Sequence, residues 1–143
     1  MLTNMKHRIG DEQVLELLVY AMVADADRIE HNLQVYKTDA SREIYGLEQD
    51  GVVLAVAGFT LDDQLTLELH HIAVHPEYRN QGYGRGLLLE LLETKQPKLI
   101  RAETDEAAVD FYRNVGFQVI SLGEKYPGVE RFECVYEVEP EDE

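Results

Sequence analysis

The sequence contains little cysteine and few basic residues, and each shortage excludes a class of protein. Its only cysteine, Cys134, cannot form an internal disulfide, so we expect a reducing, cytoplasmic compartment rather than a disulfide-stapled secreted domain. The 13 Lys and Arg are outnumbered by 28 Asp and Glu, and the formal net charge is -15. Nucleic acids and anionic membranes need clustered Lys and Arg, so we expect neither as a partner. No Cys/His cluster has the spacing of zinc ligands, and we expect no metal.

Long apolar runs are also missing. No segment approaches the ~20 consecutive apolar residues that span a bilayer, and "MLTNMKHRIG" lacks the apolar stretch of a secretion signal. The chain has 143 residues, of which 45% are apolar, and is therefore long enough to bury one core. We expect a single domain over residues 1–143, with an acidic and frayed tail from about residue 137.

Apolar periodicity predicts a mixed α/β fold. The strand "KHRI" is followed by two amphipathic helices, the first of which Asp11 caps. The strands "REIYGLE" and "VVLAVAGFTL" are joined by a hairpin turn at residues 49–51, and "QLTLELHHIAV" follows. The remainder predicts a leucine-rich helix, the strand "KLIRAE", a helix in "EAAVDFYRNV" capped by Thr104 or Asp105, and the strands "QVISL" and "RFECVYEV". The predicted order is β-α-α-β-β-β-α-β-α-β-β.

The strand "QLTLELHHIAV" changes phase along its length. Leucines alternate with polar residues as far as residue 69, whereas Ile72 and Val74 are apolar on the opposite parity. One extra residue near His70 and His71, a β-bulge, would restore the phase, and bulges often re-aim side chains beside active sites. A strand buried on both faces at its end explains the same pattern.

The segment "HPEYRNQGYGRG", residues 75–86, separates this strand from the leucine-rich helix. A strand, a glycine turn and a helix bring free backbone N–H groups and the positive end of the helix dipole to one point, which suits a phosphate. Gly82 and Gly84 let the main chain approach a ligand closely, and Arg79 and Arg85 outnumber the single acid of the segment. We therefore expect an anionic ligand here.

Three nucleotide ligands use turns of this kind. A Walker loop is excluded because no G-x-x-x-x-G-K-[ST] motif is present. "GYGRGL" begins like a Rossmann turn, and Glu103 lies near the expected ribose-binding acid. However, the glycines follow the strand too late, and too little chain remains for a doubly wound sheet. The third ligand is the pyrophosphate of coenzyme A.

"RNQGYG" resembles the Q/R-x-x-G-x-G/A signature of the GNAT acyltransferase superfamily. "HIAVHPEYR" resembles the strand and turn before that signature, and "AAVDFYRNVGF" resembles the later A-x-x-x-Y-x-x-x-G-F helix of the family. The element order resembles the GNAT fold along nearly the whole chain. The resemblance implies a mixed α/β GNAT fold with a β-bulge in the fourth strand, and an acetyl-CoA-dependent N-acetyltransferase.

The resemblance also implies which residues hold acetyl-CoA. The pantetheine arm would pair with the main chain of the fourth strand at Ile72, Ala73 and Val74. The pyrophosphate would contact the loop and the first turn of the following helix, namely Arg79, Asn80, Gln81, Gly82, Tyr83, Gly84 and Arg85. Asp105 departs from the family, many of whose members have Asn there. It keeps the helix cap but lacks the amide donors.

Acetyl transfer to an amine needs a base for the ammonium proton, a donor for the oxyanion, and an acid for the departing thiolate. Tyr112 matches the position of the general acid in many family members, and a core tyrosine is the alternative interpretation. Glu68 matches the catalytic glutamate of some members and is the first choice for a base acting through water. His70, with an ordinary pKa of about 6.5, is the second choice. A free N–H near Val74 would serve the oxyanion.

The acceptor side is expected in the loop over residues 123–130, where the resemblance implies that Tyr126 and Glu130 contact the substrate. An ordinary hairpin loop is the alternative. We expect an amine on a small molecule or peptide, direct transfer in a ternary complex, and a homodimer if the last strands pair between protomers as they often do in the family. The alternative function is a non-catalytic GNAT-fold module that binds coenzyme A as a sensor or interaction partner.

Overall fold

The structure is a computed structural model that describes residues 2–22 and 24–139, with Tyr126 described by its main chain alone. The described residues form seven strands and four α-helices in the predicted order. These elements are β1 (Leu2–Asn4), α1 (Glu12–Tyr20), α2 (Ala26–Thr38), β2 (Glu43–Gln49), β3 (Val52–Leu61), β4 (Thr66–Val74), α3 (Tyr83–Lys95), β5 (Leu99–Asp105), α4 (Val109–Val115), β6 (Gln118–Tyr126) and β7 (Val129–Glu137). Of the predicted acidic tail, residues 140–143 lie outside the described residues.

Two compact units can be distinguished in the chain. One comprises Met1–Thr60 and His70–Lys95, and the other comprises Leu61–Leu69 and Gln96–Glu143. Strand β4 therefore contributes its second half to the first unit and its first half to the second unit. The single-domain organisation of the chain stays a prediction.

In the first unit, β1, β2 and β3 are antiparallel neighbours, and α1 and α2 bury apolar side chains. Asp11 caps α1 as predicted, since its side chain accepts a hydrogen bond from the Gln13 N–H at 3.0 Å. Asp50 and Gly51 both have positive φ, which confirms the predicted tight turn between β2 and β3. The core of this unit contains Met5, Val14, Leu17, Leu18, Met22, Tyr36, Ile44, Val53, Val56 and Ala73.

The first predicted strand is wrong. Lys6–Arg8, within "KHRI", is a single turn of 3-10 helix, and β1 lies before it at Leu2–Asn4. The Asn4 side chain accepts a hydrogen bond from the Lys6 N–H at 3.0 Å, which turns the chain out of the strand. Met5 is then fully buried, so the apolar residue that anchors this segment lies before the predicted strand.

In the second unit, the Thr66–Leu69 part of β4 pairs in parallel with β5, β5 is antiparallel to β7, and β7 is antiparallel to β6. Asp105 is the residue that turns the chain into α4, because its side chain accepts a hydrogen bond from the Ala108 N–H at 3.1 Å. The helix begins at Val109, three residues later than the first residue of the predicted segment.

The predicted loop over residues 123–130 is also wrong. Strand β6 continues to residue 126 and β7 begins at Val129, so only Pro127 and Gly128 connect them. Gly128 has φ +77°, which a tight turn requires and which glycine adopts without strain. Gly123 lies inside β6 at a register shift and does not start a loop.

The hydrogen bonds at the two ends of the β3–β4 connection show an extra residue in β4. At the hairpin end, the Asp62 N–H donates to the Thr66 carbonyl at 3.1 Å, and at the far end the His75 N–H donates to the Leu54 carbonyl at 2.8 Å. Eight residue steps separate Leu54 from Asp62, but nine separate Thr66 from His75. One residue of β4 is therefore unmatched, which is the signature of the predicted β-bulge.

Side-chain contacts locate this bulge. Nε2 of His70 lies 3.1 Å from Oγ1 of Thr60, and Nδ1 of His71 lies 2.6 Å from the hydroxyl of Tyr36. Tyr36 covers Gly58 on the face to which a side chain there would point, and Thr60, two residues on, shares that face. Consecutive residues of a regular strand point to opposite faces, so His70 and His71 on one face mark the bulge.

Candidate functional site

The loop before α3 presents unpaired backbone donors. Within the described part of the chain, none of the backbone N–H groups of residues 79–85 donates to a protein acceptor. Asn80 and Gly82 have φ of +63° and +85°, a left-handed backbone of the kind found in anion-binding nests. The Gly86 N–H donates to the Gly82 carbonyl at 2.8 Å, which begins α3 and adds its positive dipole end. This geometry suits an anion with several oxygen atoms.

The space around this loop is open. A β-carbon built on Gly82 or Gly86 would have no neighbour within 4 Å. The side chains of Arg79, Asn80 and Gln81 are exposed. A ligand can therefore approach the main chain directly.

Two cationic side chains flank the loop. Nε of Arg79 donates to the Val74 carbonyl at 3.2 Å, and the guanidinium lies over the ring of Tyr20, 5.9 Å from its centre. Arg85 is exposed at the start of α3. In a chain of net charge -15, a locally positive loop favours an anionic ligand over a cationic one.

The end of β4 offers main-chain groups beside this loop. The His75 N–H bonds to β3, and along a strand such bonds alternate, so the main-chain groups of Ile72 and Val74 face away from β3. Ala73 points into the core and is 8% exposed, whereas Ile72 and Val74 are half-buried. The strand end is thus both bulged and covered on its two faces. Since the Val74 carbonyl already accepts from Arg79, the groups left for an extended ligand are the N–H and C=O of Ile72 and the N–H of Val74.

Glu68 lies on β4 among charged neighbours. Its carboxylate is 3.9 Å from the guanidinium of Arg101, and Arg101 is also 3.7 Å from Glu133. Burial raises the pKa of Glu68, the Arg101 charge lowers it, and nearby acids raise it again. The side chain is 38% exposed, so water can reach it.

His70 differs from the sequence-based expectation. Burial first, and then the charge of Arg42, lower its pKa to about 4, so the value of about 6.5 on which its choice as a base rested is wrong. Its imidazole is neutral at pH 7 but weakly basic, and Nε2 is held by Thr60 at 3.1 Å.

Tyr112 lies on α4 with its ring packed edge-on against Phe111 and Phe117. It is 5% exposed, and burial raises the pKa of its phenol, with the Cys134 thiol as a second cause. No hydrogen bond of its hydroxyl occurs among the described residues. The residue therefore combines a ring packed in the core with a phenol that burial keeps protonated.

Of the two residues expected at the acceptor side, Tyr126 and Glu130, the structure describes the side chain of Glu130 alone. The side chain of Tyr126 lies outside the described residues. Glu130 lies on β7, where it accepts a short hydrogen bond from the hydroxyl of Ser121 on β6. Glu130 therefore belongs to the β6–β7 pairing rather than to a loop.

Sequence reasoning missed the contact between Tyr36 and His71. In the sequence, Tyr36 is one apolar position of an amphipathic helix, and only the glycine at residue 58, inside an apolar strand, signals that something approaches β3 closely.

No helix of the described chain is long and apolar enough to cross a membrane. The described residues also contain no group of three metal-ligating side chains.

A family model for the acetyltransferase (GNAT) family matches residues 12–117. The chain belongs to the GNAT acetyltransferase family. The matched range contains the glycine loop, the bulged strand and helix α4, so the residues on which the resemblance rested all lie inside it.

Relatives of this GNAT chain support the assignment. It is 33% identical over 87 residues to N-alpha-acetyltransferase RimI of Mycobacterium tuberculosis, covering 57% of this chain and 55% of that protein. The chain thus spans about half the length of that relative. Its fold matches a GNAT-family crystal structure from Desulfovibrio desulfuricans with a TM-score of 0.76 and 18% identity, over 96% of this chain and 98% of that one. An acetyl-CoA-bound GNAT structure from Elizabethkingia anophelis matches with a TM-score of 0.71 and 20% identity, over 96% and 97%.

The loop of this GNAT chain fits the anionic part of acetyl-CoA. The N–H groups of residues 79–85 are unpaired, and the space beside Gly82 is open, which is the geometry that a pyrophosphate requires. The predicted cap of α4 at Thr104 or Asp105 is wrong, because the helix starts after Ala108 and has no side-chain cap. The Asp105 carboxylate accepts from the Ala108 N–H ahead of the helix, so it supplies an acceptor where many family members supply an amide.

Proposed function

We propose that the protein is an N-acyltransferase that moves an acetyl group from acetyl-CoA to an amine by direct transfer in a ternary complex. The observation that carries the proposal is the row of unpaired N–H groups at residues 79–85, in a chain of the GNAT family. In this proposal, residues 79–85 bind the pyrophosphate, and the main chain of Ile72, Ala73 and Val74 binds the pantetheine arm. A free N–H near Val74 faces away from β3 and would stabilise the oxyanion.

Glu68 is the proposed general base, acting through water. An alkylammonium has a pKa of about 10 and must lose a proton before it can attack a thioester. The raised pKa of Glu68 makes its carboxylate a stronger proton acceptor than an ordinary glutamate, and its partial exposure leaves room for a water. His70 remains a second proposal, but the pKa of about 4 gives it a smaller driving force.

Tyr112 is the proposed general acid for the departing thiolate. Its raised pKa keeps the phenol protonated throughout the physiological range, and its hydroxyl is not tied to a protein acceptor among the described residues. The alternative is a core tyrosine without a role in catalysis. A Tyr112→Phe variant separates the two, because phenylalanine keeps the packing against Phe111 and Phe117 and removes only the hydroxyl.

The acceptor is proposed to be an amine on a small molecule or a peptide. The relative named RimI is an N-alpha-acetyltransferase, which favours a peptide amine for this chain. Tyr126 and Glu130 are proposed to contact it, and a homodimer is proposed through the last strands. The single cysteine, Cys134, is buried and unpaired, in keeping with a proposed cytoplasmic location.

The proposal is tested by binding first and by turnover second. Isothermal titration with acetyl-CoA should give saturable binding, and a panel of amines with a thiol-release assay should reveal turnover. Tyr112→Phe should bind acetyl-CoA normally and lose roughly a hundredfold in kcat. Tyr45→Phe, on β2, is the control and should keep its kcat. Binding without turnover of any amine would favour the non-catalytic sensor. A folded protein that does not bind acetyl-CoA would overturn both.

A further inference from the structure

Helix α2 is joined to the bulge of β4 by a part-buried hydrogen bond. Tyr36 is fully buried, and its hydroxyl lies 2.6 Å from Nδ1 of His71. The two rings are 5.5 Å apart at their centres and tilted. A β-carbon at Gly58 would lie 2.0 Å from the same hydroxyl, so Tyr36 reaches His71 only because residue 58 has no side chain.

Both partners of this bond are uncharged at neutral pH. Burial raises the pKa of Tyr36 to about 12, and it lowers the pKa of His71 to about 4. Arg42 lies over the Tyr36 ring, 5.3 Å from its centre, and its charge acts in the same direction on His71. A buried bond between neutral groups has little net cost while both partners are present. Removing one partner leaves the other unsatisfied.

His71 also stands where the regular pairing of β4 with β3 is interrupted. It is one of the two bulge residues, and Ile72 follows it directly. Because a bulge disrupts the ladder locally, the strand alone leaves the peptide planes there less constrained than in a regular pair. A side chain anchored to the buried Tyr36 supplies the missing constraint. It does so immediately before the main-chain groups of Ile72 and Val74 that face away from β3.

We propose that Tyr36 is a positioning residue: by holding His71, it fixes the bulge so that the main chain of Ile72 and Val74 is preorganised for the pantetheine arm of acetyl-CoA. This inference rests on the proposed function. It goes beyond it by assigning a role to a residue of α2 that is not among the proposed acetyl-CoA-binding residues. A preorganised site loses less binding free energy to the ordering of its main chain. Loss of the Tyr36–His71 hydrogen bond should therefore weaken binding of the pantetheine arm and leave binding of the pyrophosphate unchanged.

The test uses two ligands that differ in the arm. Acetyl-CoA contains it, whereas adenosine 3′-phosphate 5′-diphosphate keeps the pyrophosphate and lacks the pantetheine arm. In Tyr36→Phe the ring stays and the hydrogen bond is lost. We expect its Kd for acetyl-CoA to rise about tenfold, with the Kd for the nucleotide within about twofold of wild type. Tyr45→Phe, a half-buried tyrosine on β2, is the matched control and should change neither.

A second variant guards against a folding defect. Tyr36→Phe combined with His71→Leu removes both polar partners, so no buried group is left unsatisfied and the fold should be retained. It should show the same selective loss for acetyl-CoA, with faster hydrogen exchange at the His75 amide, which donates to the Leu54 carbonyl of β3 just beyond the bulge.

The outcomes separate the inference from the function on which it rests. Wild type that binds neither ligand removes the proposed function and the inference with it. Wild type that binds both, with variants that lose neither or lose both equally, leaves the function standing and overturns the role of Tyr36. Loss confined to acetyl-CoA supports it.

Discussion

The hydroxyl of Tyr36 occupies the place where a side chain at Gly58 would begin. A β-carbon there would lie 2.0 Å from the hydroxyl oxygen and 2.5 Å from the ring carbon that bears it. Real β-carbons do not approach other atoms so closely, so either the ring or β3 must move if residue 58 gains a methyl group. Helix α2 and strand β3 are therefore fitted to each other at one glycine.

Gly58→Ala should accordingly destabilise the protein by about 2–3 kcal/mol, because overpacking forces a buried ring out of position. Urea unfolding followed by circular dichroism measures the change. Gly86→Ala is the control, since a β-carbon there meets nothing within 4 Å and the residue lies inside α3. That substitution should stabilise by about 0.5–1 kcal/mol. Equal unfolding midpoints for Gly58→Ala and wild type would show that Tyr36 does not lie over β3.

The glycine loop yields a second prediction with a matched control. Gly82 and Gly128 have φ of +85° and +77°, and a β-carbon at either meets nothing within 4 Å. Gly82→Ala and Gly128→Ala should therefore cost similar amounts of stability, about 1–2 kcal/mol each, from backbone strain alone. Only Gly82→Ala should weaken acetyl-CoA binding, by about tenfold or more, because strain there turns the donors of residues 79–85 away from one another.

Isothermal titration of both variants checks this prediction, and the unfolding midpoints show that the strain is matched. If both variants bind acetyl-CoA as tightly as wild type, the loop does not contact the pyrophosphate. If both bind more weakly by the same factor, the loss reflects stability rather than the site.

Much of the fold could be predicted because most elements are specified locally. The cap at Asp11 and the turn at Asp50–Gly51 are side-chain and backbone effects within a few residues, and the structure has both. The bulge was also readable, since an apolar phase change in one strand has few explanations. Two predicted elements were wrong, the first strand and the loop over residues 123–130, and apolar periodicity does not show the cause of either. Met5 is drawn into a core built from distant residues, and a two-residue turn lets β6 and β7 extend past the residues that read as a loop.

The candidate site also has features that the sequence predicts and features that it does not. The residues of the loop, 79–85, carry a short motif, which predicts them as the anion site. The pKa of His70 could not be predicted, because it depends on burial and on Arg42, which is 28 positions away in the sequence. The contact of Tyr36 with His71 likewise joins residues 35 positions apart, and neither carries a motif.

Glu68 yields a prediction on the pH dependence of the reaction. Arg101 lowers the pKa of Glu68, so Arg101→Gln should raise that pKa and shift the acidic limb of kcat/KM to higher pH. The profile is measured with any amine that the protein acetylates. Arg113→Gln breaks an exposed ion pair with Asp110 instead and should leave the limb in place. An unmoved limb in Arg101→Gln, together with an unchanged profile in Glu68→Gln, would exclude Glu68 as the base.

The two bulge histidines make stability depend on pH. In the unfolded chain each binds a proton near its ordinary pKa of about 6.5, but in the folded protein the pKa of His70 and that of His71 are both about 4. Between these values the unfolded state holds more protons, so stability is lost as the pH falls through this window. The loss should be roughly 2–4 kcal/mol for the pair, allowing for partial access of water.

Urea unfolding at pH 7.5 and pH 4.5 should show this loss of stability in wild type, and His70→Gln combined with His71→Gln should reduce it. The remaining acids titrate alike in both proteins, so the difference between the two profiles isolates the histidines. His31→Gln, at an exposed position of α2, should keep the wild-type slope. A double variant as acid-sensitive as wild type would mean that these histidines gain protons in the folded state at their ordinary pKa.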